Sequence, residues 1–249
     1  MTFNDLSIGM LSYKRHKTLE QTLSSYKRNG LLDLCKNFTI FFQDISKKDI
    51  LIANHFGIKY TGWNYNMVPF DYRIKEIYDT INTPYTLFLE NDWLLIENKE
   101  ITENLILEAI NLIESNKVDV VKLRHRKNPG TPLYSENLIK NKEKNPEVWN
   151  KWKVMLMECV HWYNNPEKMF PEYIKKDGNY YYTTSEYVPY TNNPCIYNTN
   201  LFKNKISPFF KENLNIEVRI QQGYWQNLNL KVCHGDGLFK HCDNIYGDI

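Results

Sequence analysis

The chain has 249 residues, 31 of them basic and 29 acidic, for a net charge of +2. Charges of both signs are interspersed, which excludes a general basic footprint for nucleic acid or a membrane surface. No apolar run reaches the ~20 residues that span a bilayer, and the opening Met-Thr-Phe-Asn-Asp lacks the regions of a secretory leader, so a soluble, cytoplasmic protein is expected.

Residues 6–12 (LSIGMLS) read as a buried strand, followed by a polar loop through Tyr13, Lys14, Arg15 and His16. Thr18 then precedes Leu19, Leu23 and Tyr26 at helical spacing, and Asn29-Gly30 supplies the stop. Residues 38–42 (FTIFF) form a second strand, closed by Gln43-Asp44. A short helix over about residues 49–56 leads through Gly57 to a third strand at 58–60. Ile74, Ile77, Tyr78 and Ile81 make a helical stripe over 71–81. Next, the apolar run from Thr86 to Leu89 passes straight into Glu90, Asn91 and Asp92, a buried strand with an acidic end. Leu105, Ile106, Ala109, Ile110 and Ile113 place a helix over 101–115, and residues 118–123 (VDVVKL) give a further strand. Strand and helix alternate to about residue 125, which predicts an α/β fold with a mostly parallel central sheet flanked by helices.

Past Leu123 the texture changes. A turn cluster at residues 127–132 (KNPGTP) opens a polar, aromatic and irregular stretch, and 134–195 read as loops and short strands over one sheet edge, where a second substrate would bind. A helix over about 214–226 and a last segment at 232–241 follow. With no internal repeat or linker, residues 1–249 are expected to form a single domain of two halves, 1–125 and 126–249. The five cysteines are scattered without a C-x-x-C pair, and the spacing from Cys233-His234 to His241-Cys242 matches no common zinc finger.

The acidic strand end carries the chemistry. Open α/β sheets bind ligands at the carboxyl ends of their strands. Carboxylates at i and i+2 leave a strand on one side, so Glu90 and Asp92 repel unless a cation lies between them. Oxygen ligands suit Mg²⁺ or Mn²⁺, and a metal beside a sheet edge suits a diphosphate. Taken alone, the pair serves equally well as punctuation of a strand end. The basic clusters at 14–17 and 122–127 suit a phosphate-bearing small molecule or a solvated face.

The order of these pieces resembles nucleotide-sugar-dependent glycosyltransferases of the GT-A fold, above all the family 2 type. In that group the first strand ends in Ser/Thr-Tyr-x-Arg, matched by Ser12, Tyr13, Lys14 and Arg15. The second ends in an acidic residue that meets the nucleobase, matched by Asp44, and the D-x-D strand end is matched by Glu90-Asn91-Asp92, with Glu for the first Asp. Residues 191–197 look like the loop and strand that floor the acceptor pocket. The acidic helix start that supplies the base falls on Glu212-Asn213, without its Asp, so Glu217 is the first choice of base and Glu212 the second. Residues 235–241 resemble the segment that donates a histidine to the metal.

The resemblance implies a metal-dependent, inverting transfer of sugar from a UDP-sugar to a hydroxyl of a glycan or glycoconjugate acceptor. Residues 1–125 would bind the nucleotide-sugar and 126–249 the acceptor. Asp44 would accept from the base, Tyr13 or main chain near Ser12 would pack it, and Arg15 or Arg73 would approach the phosphates. Glu90 and Asn91 are assigned to the donor, while Asp92 and His241 would hold Mn²⁺ or Mg²⁺, with His234 the rival ligand and His125 and His161 further off. Arg124 and His125 follow a strand and would face the donor sugar. Trp149, Trp152, Trp162 and the tyrosines 180–182 suit a saccharide acceptor, or an aromatic core. Two other classes compete. A non-catalytic glycan-binding descendant of the fold would explain Glu90 and Asn213. A nucleotidyltransferase would need a glycine-rich phosphate loop, and no glycine follows Gly9 in the first loop.

Overall fold

The computed structural model describes residues 2–62, 70–131, 153–210, 219–220 and 223–242. Glu212, Asn213 and Glu217 lie outside the described residues, as do Trp149, Trp152 and most of the helix expected over 214–226, of which the short helix Tyr224–Asn227 is the described end.

The first strand, β1 (Leu6–Ser12), is the third strand in from one edge of a ten-stranded sheet. It pairs in parallel with β2 (Phe38–Phe42) on one side and β4 (Tyr85–Glu90) on the other, and β2 pairs in parallel with β3 (Lys59–Gly62). Parallel strands need crossovers, and here these are helices: α1 (His16–Arg28) with the short α2 (Leu31–Leu34), α3 (Lys47–Phe56), and α4 (Phe70–Thr80). Both sheet faces are therefore covered, which explains why the strands read as unbroken apolar runs. Ile8, Met10, Ile40, Phe42, Leu87 and Leu89 face a core under α1, while Leu11, Phe41 and Phe88 face a second core with Ile74, Ile77 and Tyr78 of α4. The period of two along each strand divides these residues between the cores.

Helix starts follow local chemistry where there is a cap. Ser46 and Asp49 form a reciprocal capping box on α3, and the Asn98 side chain accepts from Ile101 N–H at the start of α5 (Lys99–Glu114). The helix α1 has no side-chain cap, and its start is set by the site described below.

The parallel run expected through residue 125 ends at β4. The strand β6 (Val120–Arg124) does not adjoin β4, because β9 (Cys195–Asn198) enters between them, antiparallel to both. The long β10 (Lys231–His241) then pairs in parallel with β6, and β8 (Tyr180–Thr184) and β7 (Lys175–Asp177) finish the edge antiparallel. Strands from both halves of the sequence thus share one sheet. A further strand, β5 (Trp93–Leu95), was not legible in the sequence: it is three residues long and pairs only with the far end of β10. No helix among the described residues is long and apolar enough to cross a membrane.

Candidate active site at the carboxyl edge of the sheet

The acidic strand end does not run on as an extended segment. The strand β4 stops at Glu90, which lies beside Leu11 of β1, and Asn91-Asp92 form a turn into β5. The Asn91 side chain fixes that turn by donating to Ser12 Oγ at 3.1 Å and to the Lys14 carbonyl at 3.3 Å. The expected i, i+2 relation of Glu90 and Asp92 along one strand is replaced by a corner, and the corner aims Asp92 at other partners. Pairing of β5 with β10 puts His241 opposite Trp93, and the Cys242 N–H donates to the Asp92 carbonyl at 2.8 Å. As a result His241 Nε2 lies 3.6 Å from Asp92 Oδ2, with both side chains little exposed, at 12% and 11%. Residues 149 positions apart in sequence meet because a three-residue strand holds the end of an eleven-residue one.

Polar groups on the inward face of α1 hold this corner. Thr22 Oγ1 donates to the Asn91 carbonyl and Tyr26 OH to the Trp93 carbonyl, each at 2.8 Å. Asn29 Nδ2 donates to the Leu95 carbonyl at 2.7 Å, and Ser25 Oγ accepts from Leu95 N–H at 3.0 Å. Thr22, Ser25, Tyr26 and Asn29 follow the i, i+3, i+4, i+7 rule of a helix face, so a polar stripe set among apolar neighbours was the available signal. Sequence reasoning used the apolar part of that stripe and passed over the rest.

The loop from β1 to α1 supplies the cations. Lys14 and Arg15 both adopt left-handed backbone, with φ of 52° and 54°, a conformation that costs roughly 1–3 kcal/mol per non-glycine residue. Two such residues in succession reverse the chain at the sheet edge. Arg15 Nη1 donates to Asp92 Oδ2 at 3.1 Å, and Lys14 Nζ lies 3.7 Å from Asp44 Oδ2 and 5.1 Å from the Tyr13 ring centre. Tyr13 itself is 47% exposed. Ser12, Tyr13, Arg15, Asp44, Asn91, Asp92 and His241 are therefore linked through a chain of contacts along one edge. Arg73 is buried near the start of α4, with Glu76 as an ion partner.

Asp92 Oδ1 and His241 Nδ1 are buried without a hydrogen-bond partner, an arrangement that costs about 1–3 kcal/mol per atom if nothing binds there. No group of three or more His, Cys, Asp or Glu among the described residues could hold a metal ion. A carboxylate and an imidazole at this separation nevertheless fit a hard divalent ion of the kind that takes one or two protein ligands and completes its shell with water and substrate phosphate. The donor set fits an ion shared with a phosphate, and does not fit a closed structural site.

The other histidines stand in different company. His125 Nε2 is 3.0 Å from Glu97 Oε1, and its Nδ1 accepts from Asn128 N–H at 2.9 Å, so both ring nitrogens are occupied. His234 lies in the middle of β10, opposite Lys122 of β6, and its ring meets that of His161 edge-on at 5.0 Å. Burial, aided by the charges of Lys122, Arg126 and Arg124, pushes His234 down to about 4. Burial likewise holds His161 well below the usual histidine range. These two rings line a cleft with Lys122, Arg124, Glu158 and Thr191. Arg124 joins the cleft to the metal-type pair, since its guanidinium lies 5.3 Å from the Trp93 ring, which packs edge-on against His241 at 4.9 Å. Two glycines permit the close approach of the surrounding chain. A side chain at Gly130 would meet the His241 carbonyl at 2.2 Å, and one at Gly237 would meet the Arg124 carbonyl at 2.2 Å.

The large central sheet flanked by helices matches the GT-A fold of solved structures. Among solved structures, the chain is similar to residues 1–349 of TarS from S. aureus, with a TM-score of 0.58 and 14% identity over 97% of this chain and 60% of that one. It is similar also to a mannosyltransferase from Pyrobaculum calidifontis in complex with GDP-Man and Mn²⁺, at TM-score 0.57 and 7% identity over 98% and 58% of the two chains. A third is glucosyl-3-phosphoglycerate synthase from Mycobacterium tuberculosis in complex with Mn²⁺ and UDP-glucose, at TM-score 0.52 and 10% identity over 96% and 72%. The chain spans about 60% of the TarS structure it matches. At these identities the likeness is one of fold. No protein-family model and no curated protein sequence matches the chain.

Proposed function

We propose that this chain is a metal-dependent glycosyltransferase that moves a sugar from a UDP-sugar to a hydroxyl of a saccharide or glycoconjugate acceptor. The observation that carries the reading is the convergence of Asp92 and His241, with Arg15 alongside, at the carboxyl edge of a GT-A sheet. Solved structures of this fold have been determined with Mn²⁺ and UDP-glucose or GDP-Man, which supports the same class of donor here.

In this reading Asp44 accepts from the N–H of uracil, while Tyr13 and the main chain at Ser12 bracket the base. Glu90 and Asn91 contact the donor, and Asn91 also holds the corner in shape. Arg15 presents its guanidinium to the phosphates from the same place where it holds the Asp92 carboxylate, and Arg73 supports the donor from α4. Mn²⁺ or Mg²⁺ held by Asp92 and His241 would offset the charge that develops on the leaving diphosphate. Glu217, or failing it Glu212, takes the proton from the acceptor hydroxyl as the oxygen attacks the anomeric carbon. One displacement from the face opposite the diphosphate inverts that carbon.

The test is turnover. With Mn²⁺ and a panel of UDP-sugars, release of UDP and the anomeric configuration of the product are followed by NMR. Replacement of the base should lower kcat by on the order of 10²–10⁴. A loss of that size in Glu217→Gln, with Glu212→Gln near wild type, assigns the base; the reverse result moves it to Glu212. If UDP binds and no sugar is transferred from any UDP- or GDP-donor, the protein is a glycan-binding descendant of the fold.

A further inference from the structure

His241 is the last residue of β10, where the ladder that fixes a strand runs out. A histidine that holds a metal ordinarily donates its other ring nitrogen to a carboxylate or carbonyl, and that bond sets the orientation of the ring. Here the bond is missing: Nε2 faces Asp92, and Nδ1 is buried with no hydrogen-bond partner among the described residues. Packing must aim the ring instead. Its neighbour is the indole of Trp93, edge-on at 4.9 Å, whose Nε1 is likewise buried without a partner among those residues. The indole is in turn backed by Arg124, whose guanidinium lies 5.3 Å from the ring centre.

The same guanidinium reaches the turn that binds the His241 main chain. Arg124 Nε donates to the Pro129 carbonyl at 3.0 Å and Nη2 to the Gly130 carbonyl at 2.9 Å. The Pro129 carbonyl also accepts from His241 N–H at 3.1 Å. Gly130, at φ 68°, lies against the His241 main chain with no room for a side chain. Arg124 itself is buried, and its backbone is set in register with Phe239 of β10. One guanidinium thus serves both the ring beside His241 and the turn behind its backbone. A planar fork can face an indole while its edge donates to two carbonyls, and an ammonium cannot.

We propose that Arg124 is a positioning residue for the metal pair: it aims the His241 ring at Asp92 through Trp93, and it fixes the His241 main chain through Pro129. The metal rests on the glycosyltransferase reading; the aiming of the ring does not.

The test uses the full chain. Mn²⁺ affinity is read from the EPR signal of the bound ion with excess UDP, on wild type, Arg124→Gln, His241→Ala and the double variant. Arg124→Gln should weaken Mn²⁺ by about 10–100-fold, the usual weight of a group that orients a metal ligand. The loss should vanish in the His241→Ala background, because Arg124 acts through that ring. Additive losses, or wild-type affinity in Arg124→Gln, would overturn the proposal. Without metal, NMR should show a contact between the Trp93 and His241 rings in wild type that is absent from Arg124→Gln. If that contact is lost while wild type binds no Mn²⁺, the metal reading fails and the aiming of the ring stands. If the contact persists in Arg124→Gln, the aiming is overturned whatever the metal does. Should Arg124→Gln not fold, Arg124→Lys takes its place. It keeps the charge and loses the fork, so the same loss is expected, and wild-type behaviour would count against the proposal.

Discussion

The strand β10 carries two histidines seven residues apart, His241 at its end and His234 within it, and the two are placed in opposite company. His241 faces a carboxylate, with an arginine on that same carboxylate. His234 faces cations and another imidazole, is buried among them, and is held down to about 4. A ring beside an anion is suited to share a metal ion with it. A ring among cations is suited to stay neutral and accept a hydrogen bond. The residue type is the same, and the partner strand decides: β5 with its acidic corner pairs beside His241, while β6 sets Lys122 opposite His234. The irregular register between His234 and Phe239, with Gly237 at φ 74°, lets one strand serve both.

The comparison is broken most directly by exchanging the losses. His241→Ala should lower Mn²⁺-supported kcat by on the order of 10²–10³, the effect of removing one stabiliser of developing charge. His234→Gln should leave the dependence on Mn²⁺ concentration as in the wild type. Equal effects of the two on that dependence would erase the distinction drawn between the two histidines.

Acid should act at His234. Its folded-state value of about 4 lies below the ordinary 6.5, so the unfolded chain binds more protons between these values. Stability therefore rises with pH across that window: the contribution is complete above the unfolded value and is lost as pH falls through the folded one. From the two values it amounts to roughly 3 kcal/mol, and His161 acts in the same direction. Urea unfolding at several pH values in this window should show the slope in wild type and a shallower one in His234→Gln. A parallel slope in both would show that the ring is not buried neutral.

Tyr26→Phe should act on the His241 end with the smallest effect. It removes one hydrogen bond to the Trp93 carbonyl and should cost about 1 kcal/mol in urea unfolding. The variant should also bind UDP with Mn²⁺ a few-fold more weakly, because the corner that carries Asp92 is less firmly held. Stability lost with no change in binding would detach α1 from the site.

The first half of the fold was legible because its strands are buried on both faces and its helices carry apolar stripes. The strands β1 and β2 fall on the expected residues, and helices α1, α3, α4 and α5 lie within two residues of most of the expected limits. What escaped was long-range. Three-residue β5 has no periodicity to read, and the insertion of β9 between β4 and β6 is a matter of pairing that no local pattern announces. Among site residues, Asp92 and His241 were readable as a metal pair only through a resemblance in order along the chain, and the structure brings them together. Lys122 was visible only as part of a basic cluster; its burial opposite His234 is a property of the sheet. The α1 stripe of Thr22, Ser25 and Asn29 was overlooked because polar residues on a helix face are read as solvated, and here they bind the backbone of a neighbouring corner. The geometry at the acidic end differs for a related reason, since Asn91 turns the chain and Glu90 and Asp92 do not leave one strand side by side.

The most direct measurement is calorimetric titration of UDP, with GDP as control, in the presence and absence of Mn²⁺, on wild type and Asp92→Ala. The account predicts UDP binding that depends on Mn²⁺ and is lost in Asp92→Ala. Binding that ignores both Mn²⁺ and the substitution, or no binding of either nucleotide, would contradict it.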